Sequence, residues 1–470
     1  MKKQLLYIIL VCYYGHAQSP CINGNSAGFP CDGYEFIANI DLNVLNANSG
    51  NDSWGWTDPL DGKEYAIVGL DNGTAFIDIS VPDSPVYLGK LPTHTGNSLW
   101  RDVKVYNNYA FVVSEATGHG MQVFDLTKLR NVNNPPVTFS NDAHYDGFGN
   151  AHNIVINPTQ PYAYAVGTTT FSGGPHAVDI SDPLNPAFAG GYADAFYTHD
   201  AQVVTYSGPD QDHFGKEIYI GSNEDEVVIL DVSDKTNITS ISTIGYSNIG
   251  YTHQAWLTED ETYLILGDEF DELQFGFNTR SIIFDLSDLD NPLVHMDYVG
   301  NTPAIDHNGY VKNGLYYQAS YTSGLRVIDV NDIANQNIFE VGFFDTFPQN
   351  DGLNFDGAWN VYPFFESGNL VVSDINSGFY LVKSSTLSLE NTRNPDELKI
   401  YPNPVRGSYL NILTDRNSIE TLKVYNAFGQ LIYNKDNIND TNFSLNVSAF
   451  ASGMYYIQIN DDLNKKFIKG

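Results

Sequence analysis

The chain of 470 residues is poor in cysteine (3), methionine (4) and basic side chains, with 23 Lys and Arg against 56 Asp and Glu. The resulting formal charge of −33 repels phosphate backbones and anionic headgroups, which argues against nucleic acid as a partner. A surface this acidic either keeps the protein soluble in a salty exterior or gives some of its carboxylates to divalent cations. No P-loop is present, and the single GxSxG string, Gly24 to Gly28, lies in the short stretch between Cys21 and Cys31 without the strand–turn–helix context of a nucleophile elbow, so neither a serine nucleophile nor a phosphate cradle is indicated. Long apolar runs are missing too: the longest, Leu5 to Tyr14, is too short to span a bilayer, and no later stretch forms a transmembrane segment. Long amphipathic helical patterns are equally absent. What is abundant is Tyr (31), Phe (27), Gly (40) and Pro (21), a mixture of strand formers and turn formers that points to an all-β protein.

Lys2 and Lys3, the apolar run and the small residues around His16 have the form of a secretory signal covering residues 1–17, with Ala17 the last residue removed. Cys12 lies inside that run, so the mature chain keeps Cys21 and Cys31. An oxidising exterior favours a disulfide between them, worth on the order of 2–3 kcal/mol in the loop-entropy picture. A metal site there would need further Cys or His nearby, and none is present.

An alternating apolar strand ending in Asp recurs along the middle of the chain, at Asp78, Asp125, Asp179, Asp231, Asp285 and Asp329, spaced 44 to 54 residues apart. A seventh strand, GFYLVK (Gly378 to Lys383), keeps the interval without the Asp. A period of this size with several short strands per unit predicts a seven-bladed β-propeller over residues 52–383, one four-stranded sheet per repeat. In the unit at Ala151 the strands read HNIVIN, YAYAVG, HAVDIS and, after an Asp- and Pro-rich turn, AFAGGY. The Asp that ends each third strand is expected to accept backbone hydrogen bonds in that turn. The seventh unit lacks an outer strand. Tyr34 to Leu42, within the N-terminal disulfide segment 18–51, has the character to supply it and close the ring. Residues 384–397 read as a linker and 398–470 as a small β-sandwich.

Two resemblances are carried by specific residues. The C-terminal stretch, with YPNPV at Tyr401–Val405, VYNAFGQLIY at Val424–Tyr433, SGMYYIQI at Ser452–Ile459 and the basic end KKFIKG, resembles the type A sorting domain of the type IX secretion system. That implies a Bacteroidota-type bacterium, a contact with the secretion machinery through 398–470, and release or attachment at the outer surface. From Pro20 to Lys383 the chain resembles the choice-of-anchor B family of LVIVD-repeat propellers. The residues concerned are PCDGYEF, NDSWGWTDP, NGTAFIDIS, SLWRDVKVYNNYAFVVSEA, HGMQVFDL and the blade starts AHN, THD, THQ and DHN. This implies a secreted or surface-held propeller with no defined catalytic activity.

Aligned at their inner strands, the repeats bring together Trp54 of WGW, Arg101 with Asp102, His152, His199 with Asp200, His253, His307 and Trp359. Inner strands surround a propeller's axis, so these residues are expected to ring one channel mouth. The turns after each second strand should add an acidic collar of Asp71, Glu115, Glu224, Asp225, Asp268, Glu269 and Asp374. Three readings are open. The repeated polar residue can be a structural tie between blades, repeated because the blade was duplicated. The funnel can bind a ligand, namely a glycan, a peptide or a surface protein, or a divalent metal (zinc or calcium) on His152, His199, His253 and His307. Or it can be a metal-dependent hydrolase or lyase. A calcium site at Asp58, Asp61 and Glu64 is a further expectation, although it lacks EF-hand spacing.

Overall fold

Six aspartates turn the chain in the same way. The carboxylates of Asp78, Asp125, Asp179, Asp231, Asp285 and Asp329 each accept a hydrogen bond from the backbone N–H two residues on, at 2.8 to 3.0 Å. Each bond fixes the reversal after a third strand, as the sequence pattern predicts. The computed structural model describes residues 19–385, 398–414, 418–426, 430–460 and 463–470. The signal peptide and residues 386–397 of the linker lie outside the described residues.

Two units are distinct, residues 1–385 and 386–470. Among the described residues, the first unit is a β-propeller of seven sheets, each built on four antiparallel strands; in six of them these follow sequence order from the axis outward, and the seventh takes its fourth strand from the N-terminus. The second strands Glu64–Leu70, Glu217–Ser222, Tyr263–Asp268 and Asn369–Asp374 are buried at every position, because both faces of each blade are covered by neighbours. The fourth strand of the fourth sheet, Thr239–Ile244, is partly open to water along its whole length.

The inner strand of each sheet packs on that of the next, and the seventh, Ala358–Tyr362, packs on the first, Gly50–Thr57. The seventh sheet takes its outer strand from the N-terminus: Tyr34–Ile40 pairs antiparallel with Gly378–Ser384, from Tyr34 opposite Ser384 to Ile40 opposite Phe379. Ile37, Ala38 and Ile40 then share one apolar core with Ala66, Val68 and Ile77 of the first sheet and Val371 and Leu381 of the seventh. Leu42 departs from the strand expected over 34–42. It starts a single helical turn, Leu42–Leu45, which ends at left-handed Asn46 and buries Leu42 and Leu45 in that core as the chain swings inward. Cys21 and Cys31 form the disulfide, and Phe29–Asp32 adds a strand to the sixth sheet with Cys31 opposite Phe344.

The second unit pairs a sheet of Leu398–Tyr401, Tyr409–Thr414 and Asn442–Asn446 with one of Leu431–Asp440, Ile419–Asn426, Gly453–Ile459 and Leu463–Lys469. Leu410, Ile412, Leu422, Val424, Leu445 and Ile457 lie in the core between them. Among the described residues it is a sandwich of seven strands.

Removing residues 34–42 is expected to abolish most of the single cooperative melting transition followed by circular dichroism. An unchanged melt would show that the ring does not depend on this strand.

Candidate functional site

Inner strands open on a pair of polar residues with different tasks. The second member ties blade to blade. Asp102 accepts from the Ile154 N–H (2.9 Å), Asn153 donates to the His199 carbonyl (3.2 Å), Gln254 accepts from the Gly309 N–H (3.0 Å), and Asn360 donates to Asp52 and to the Ser53 carbonyl (both 2.6 Å). The structural reading is therefore right for this position. The first member faces a cavity of about 560 Å³ at one mouth of the channel, where His152, His199, His253, His307 and Trp359 meet.

The four imidazoles form an arc, with successive ring centres 4.1, 4.4 and 4.3 Å apart, and Trp359 continues it 4.6 Å from His307. Nδ1 of His199 donates to the His253 carbonyl (3.1 Å) and Nδ1 of His307 donates to the Trp359 carbonyl (2.6 Å). A carbonyl only accepts, so the proton of each neutral ring sits on Nδ1 and the lone pair on Nε2. Burial pushes His199 and His253 well below the ordinary histidine range and His307 down to about 3. These three rings are therefore uncharged at neutral pH. His152 Nδ1 lies 2.6 Å from Glu115 Oε1. Glu269 accepts from the Tyr321 hydroxyl (2.7 Å), while burial lifts its carboxyl to about 7.

The cavity wall also contains Trp100, Tyr197, Tyr251, Phe270, Tyr321 and Phe355. The two tyrosines at 197 and 251 were legible as the twice-repeated YTH at residues 197–199 and 251–253. The aromatics at 270, 321 and 355 come from loops with no repeated signal. Of the expected collar, Glu115 and Glu269 line the cavity, and exposed Glu224 stands beside Tyr251. Asp268 is a buried acceptor for the Phe270 N–H of its own turn and for the Tyr251 N–H ahead of the inner strand, Asp374 accepts from the Asn376 and Ser377 N–H groups of its own turn, and Asp71 holds Asn48.

Several expected members belong elsewhere. Trp54 lines a second cavity, of about 300 Å³, with Trp256, Tyr310 and Phe364. A register shift between Gly50 and Ser53 makes Asn51 and Asp52 the first blade's polar pair, three residues before the aligned WGW. Arg101 is 2% exposed and donates to the Leu70 carbonyl, Thr93 Oγ1 and His119, so it bonds between blades and does not line the cavity. Asp102 and Asp200 lie in the channel neck with Asp52 around Lys104, whose Nζ is 2.6 Å from Asp102. Burial alone would lower the Lys104 ammonium, but the three carboxylates hold it above its ordinary value. The four histidines do not form one metal cluster: ligand atoms of His253, Glu269 and His307 fall within 4.8 Å of one another, without His152 and His199. Asp58 is paired with Arg130 (2.6 Å), and Glu64 binds Ser367 and Asn369, which leaves no calcium site of Asp58, Asp61 and Glu64.

Residues 399–469 match the secretion system C-terminal sorting domain, and residues 100–118, 170–194 and 214–244 match the LVIVD repeat. The sorting domain marks the chain for type IX export to the cell surface or the medium, and implies contact with that machinery. No helix among the described residues is long and apolar enough to cross a membrane. No curated protein matches the chain at a significant level. Among solved structures, PorZ, a bacterial surface component of the type-IX secretion system of Porphyromonas gingivalis, is 12% identical with a TM-score of 0.46. That match covers 87% of this chain and 58% of PorZ. Hydrazine synthase of Kuenenia stuttgartiensis is 11% identical with a TM-score of 0.47, over 67% of this chain and 90% of its own.

Burial lifts the Asp200 carboxyl to about 7 from 3.8. The folded state thus keeps a proton that the unfolded chain releases, and stability falls as pH rises from about 4 through about 7. Asp200→Asn should melt higher than the wild type at pH 8, with the gap closing at pH 5. A lower melting temperature at both pH values would show that the carboxylate serves chiefly to hold Lys104.

Proposed function

We propose that this chain is a secreted or surface-held binding module of the choice-of-anchor B type, delivered by its signal peptide and sorting domain, whose funnel holds a neutral or basic polar ligand. The observation that carries this is the composition of the cavity of about 560 Å³: aromatic faces and the uncharged imidazoles of His199, His253 and His307, with Glu115 and Glu269 as its carboxylates. Aromatic faces stack on sugar rings or on guanidinium and ammonium groups, and the Nε2 lone pairs accept from hydroxyls or N–H groups. Acidic ligands would meet two carboxylates and a strongly negative chain. Trp100 (42% exposed) and Phe355 (43% exposed) at the mouth supply apolar surface that a glycan chain or peptide covers on docking. A hydrolase or lyase reading is carried by no specific observation.

The test is a binding panel of neutral and anionic oligosaccharides and of basic and acidic peptides, measured on the mature protein and on Trp359→Ala and His199→Ala. Neutral or basic members should bind, and each substitution should weaken them at least about 10-fold, the loss of one good stacking or hydrogen-bonding partner. Binding confined to anionic members, or unchanged in both variants, would overturn the assignment.

A further inference from the structure

Within the funnel, His253 is anomalous. It is 1% exposed, and neither Nδ1 nor Nε2 has a hydrogen-bond partner. A buried, unpartnered imidazole carries the desolvation cost of two polar atoms unless something else occupies them. Its Nε2 is 3.8 Å from Glu269 Oε2, and Nε2 of His307 is 3.9 Å from Glu269 Oε1. Neither separation is a hydrogen bond. Both are a few tenths of an ångström wider than the roughly 3.3 Å that separates ligand atoms held at about 2.0–2.1 Å around one tetrahedral ion.

We propose that His253, His307 and Glu269 form a site for a divalent transition metal, zinc in an oxidising exterior, with its remaining coordination position open to the funnel. The inference rests on the reading of the funnel as a binding site and says how the ligand is anchored: an oxygen or nitrogen of the ligand completes the coordination.

The surroundings are those of metal ligands. The Trp359 carbonyl holds the Nδ1 proton of His307, which aims the Nε2 lone pair at Glu269, and Tyr321 donates to Glu269 Oε1 and fixes the carboxylate plane. Two neutral nitrogens and one carboxylate suit zinc and its first-row neighbours better than calcium, which takes six to eight oxygens. His253 lies in the inner strand Thr252–Leu257, His307 just ahead of the next inner strand, Gly309–Lys312, and Glu269 directly after Tyr263–Asp268, the second strand of the fifth sheet. The three ligands thus come from two adjacent blades. A ligand atom on the metal would lie beside Tyr321 and Trp359, whose rings are 5.0 and 4.6 Å from that of His307.

The test uses the full secreted chain without a polyhistidine tag, stripped with a chelator and titrated with Zn²⁺ and with Co²⁺. One equivalent should bind, with Co²⁺ giving visible absorption bands of low-symmetry coordination. Glu269→Gln and His307→Ala should each weaken binding at least about 10-fold, and Tyr321→Phe, which keeps all three ligands, about 10-fold. Asp290→Asn, at the separate cluster of Asp210, His213 and Asp290, should change nothing. Melting curves of the metal-free variants verify that they fold. Absence of a stoichiometric metal from the folded wild type, or affinity unchanged in Glu269→Gln and His307→Ala, overturns the site. Repeating the sugar and peptide panel on chelated protein separates the two proposals. Metal binding without any panel binding supports the metal site and removes the ligand reading, whereas panel binding with no metal does the reverse.

Discussion

Each blade of this propeller is apolar on both faces, and that constraint governs everything else. A sheet such as the one containing Glu64–Leu70, buried at all seven positions of that strand, cannot be stable without a neighbour on each side. An open row would leave two such faces in water, so the chain must close. It does so by lending Tyr34–Ile40 to the last sheet, which places the first and seventh blades in one shared core.

The site follows from the closure. Seven inner strands converge on one axis, so residues about 50 positions apart in sequence are brought into ring contact; His199 and His253, from consecutive blades, lie 4.4 Å apart. Burial removes water from the rings of His199, His253 and His307 and holds them neutral. The adjacent polar residue, as at Asp102, Asn153, Gln254 and Asn360, spends its hydrogen bonds on the seam between blades. Duplication thus produced two rings with different consequences, one structural and one facing a cavity.

The repeat, the turn aspartates and the histidine arc were legible because each is written several times at a fixed offset, and the closing strand because the seventh unit lacks an outer one. What was misread was written once. Trp54 was aligned to the histidines because WGW is the conspicuous feature of its strand, but an irregular register near Gly50 hands the position to Asn51 and Asp52. Arg101 looked like a funnel residue by position, yet its long side chain reaches sideways to Leu70 and Thr93. Of the acidic collar, Glu115 and Glu269 reach the cavity, whereas Asp374 satisfies backbone N–H groups of its own turn. Tyr321, Phe270 and Phe355 arrive from loops of unequal length, where no periodicity marks them.

The account stands on imidazoles that are neutral and present fixed lone pairs to one cavity. Long-range proton–nitrogen correlation spectra of the histidine-labelled protein at neutral pH read this directly. His199 and His307 are predicted to show the neutral form protonated on Nδ1. Charged rings, or protons on Nε2, would contradict it.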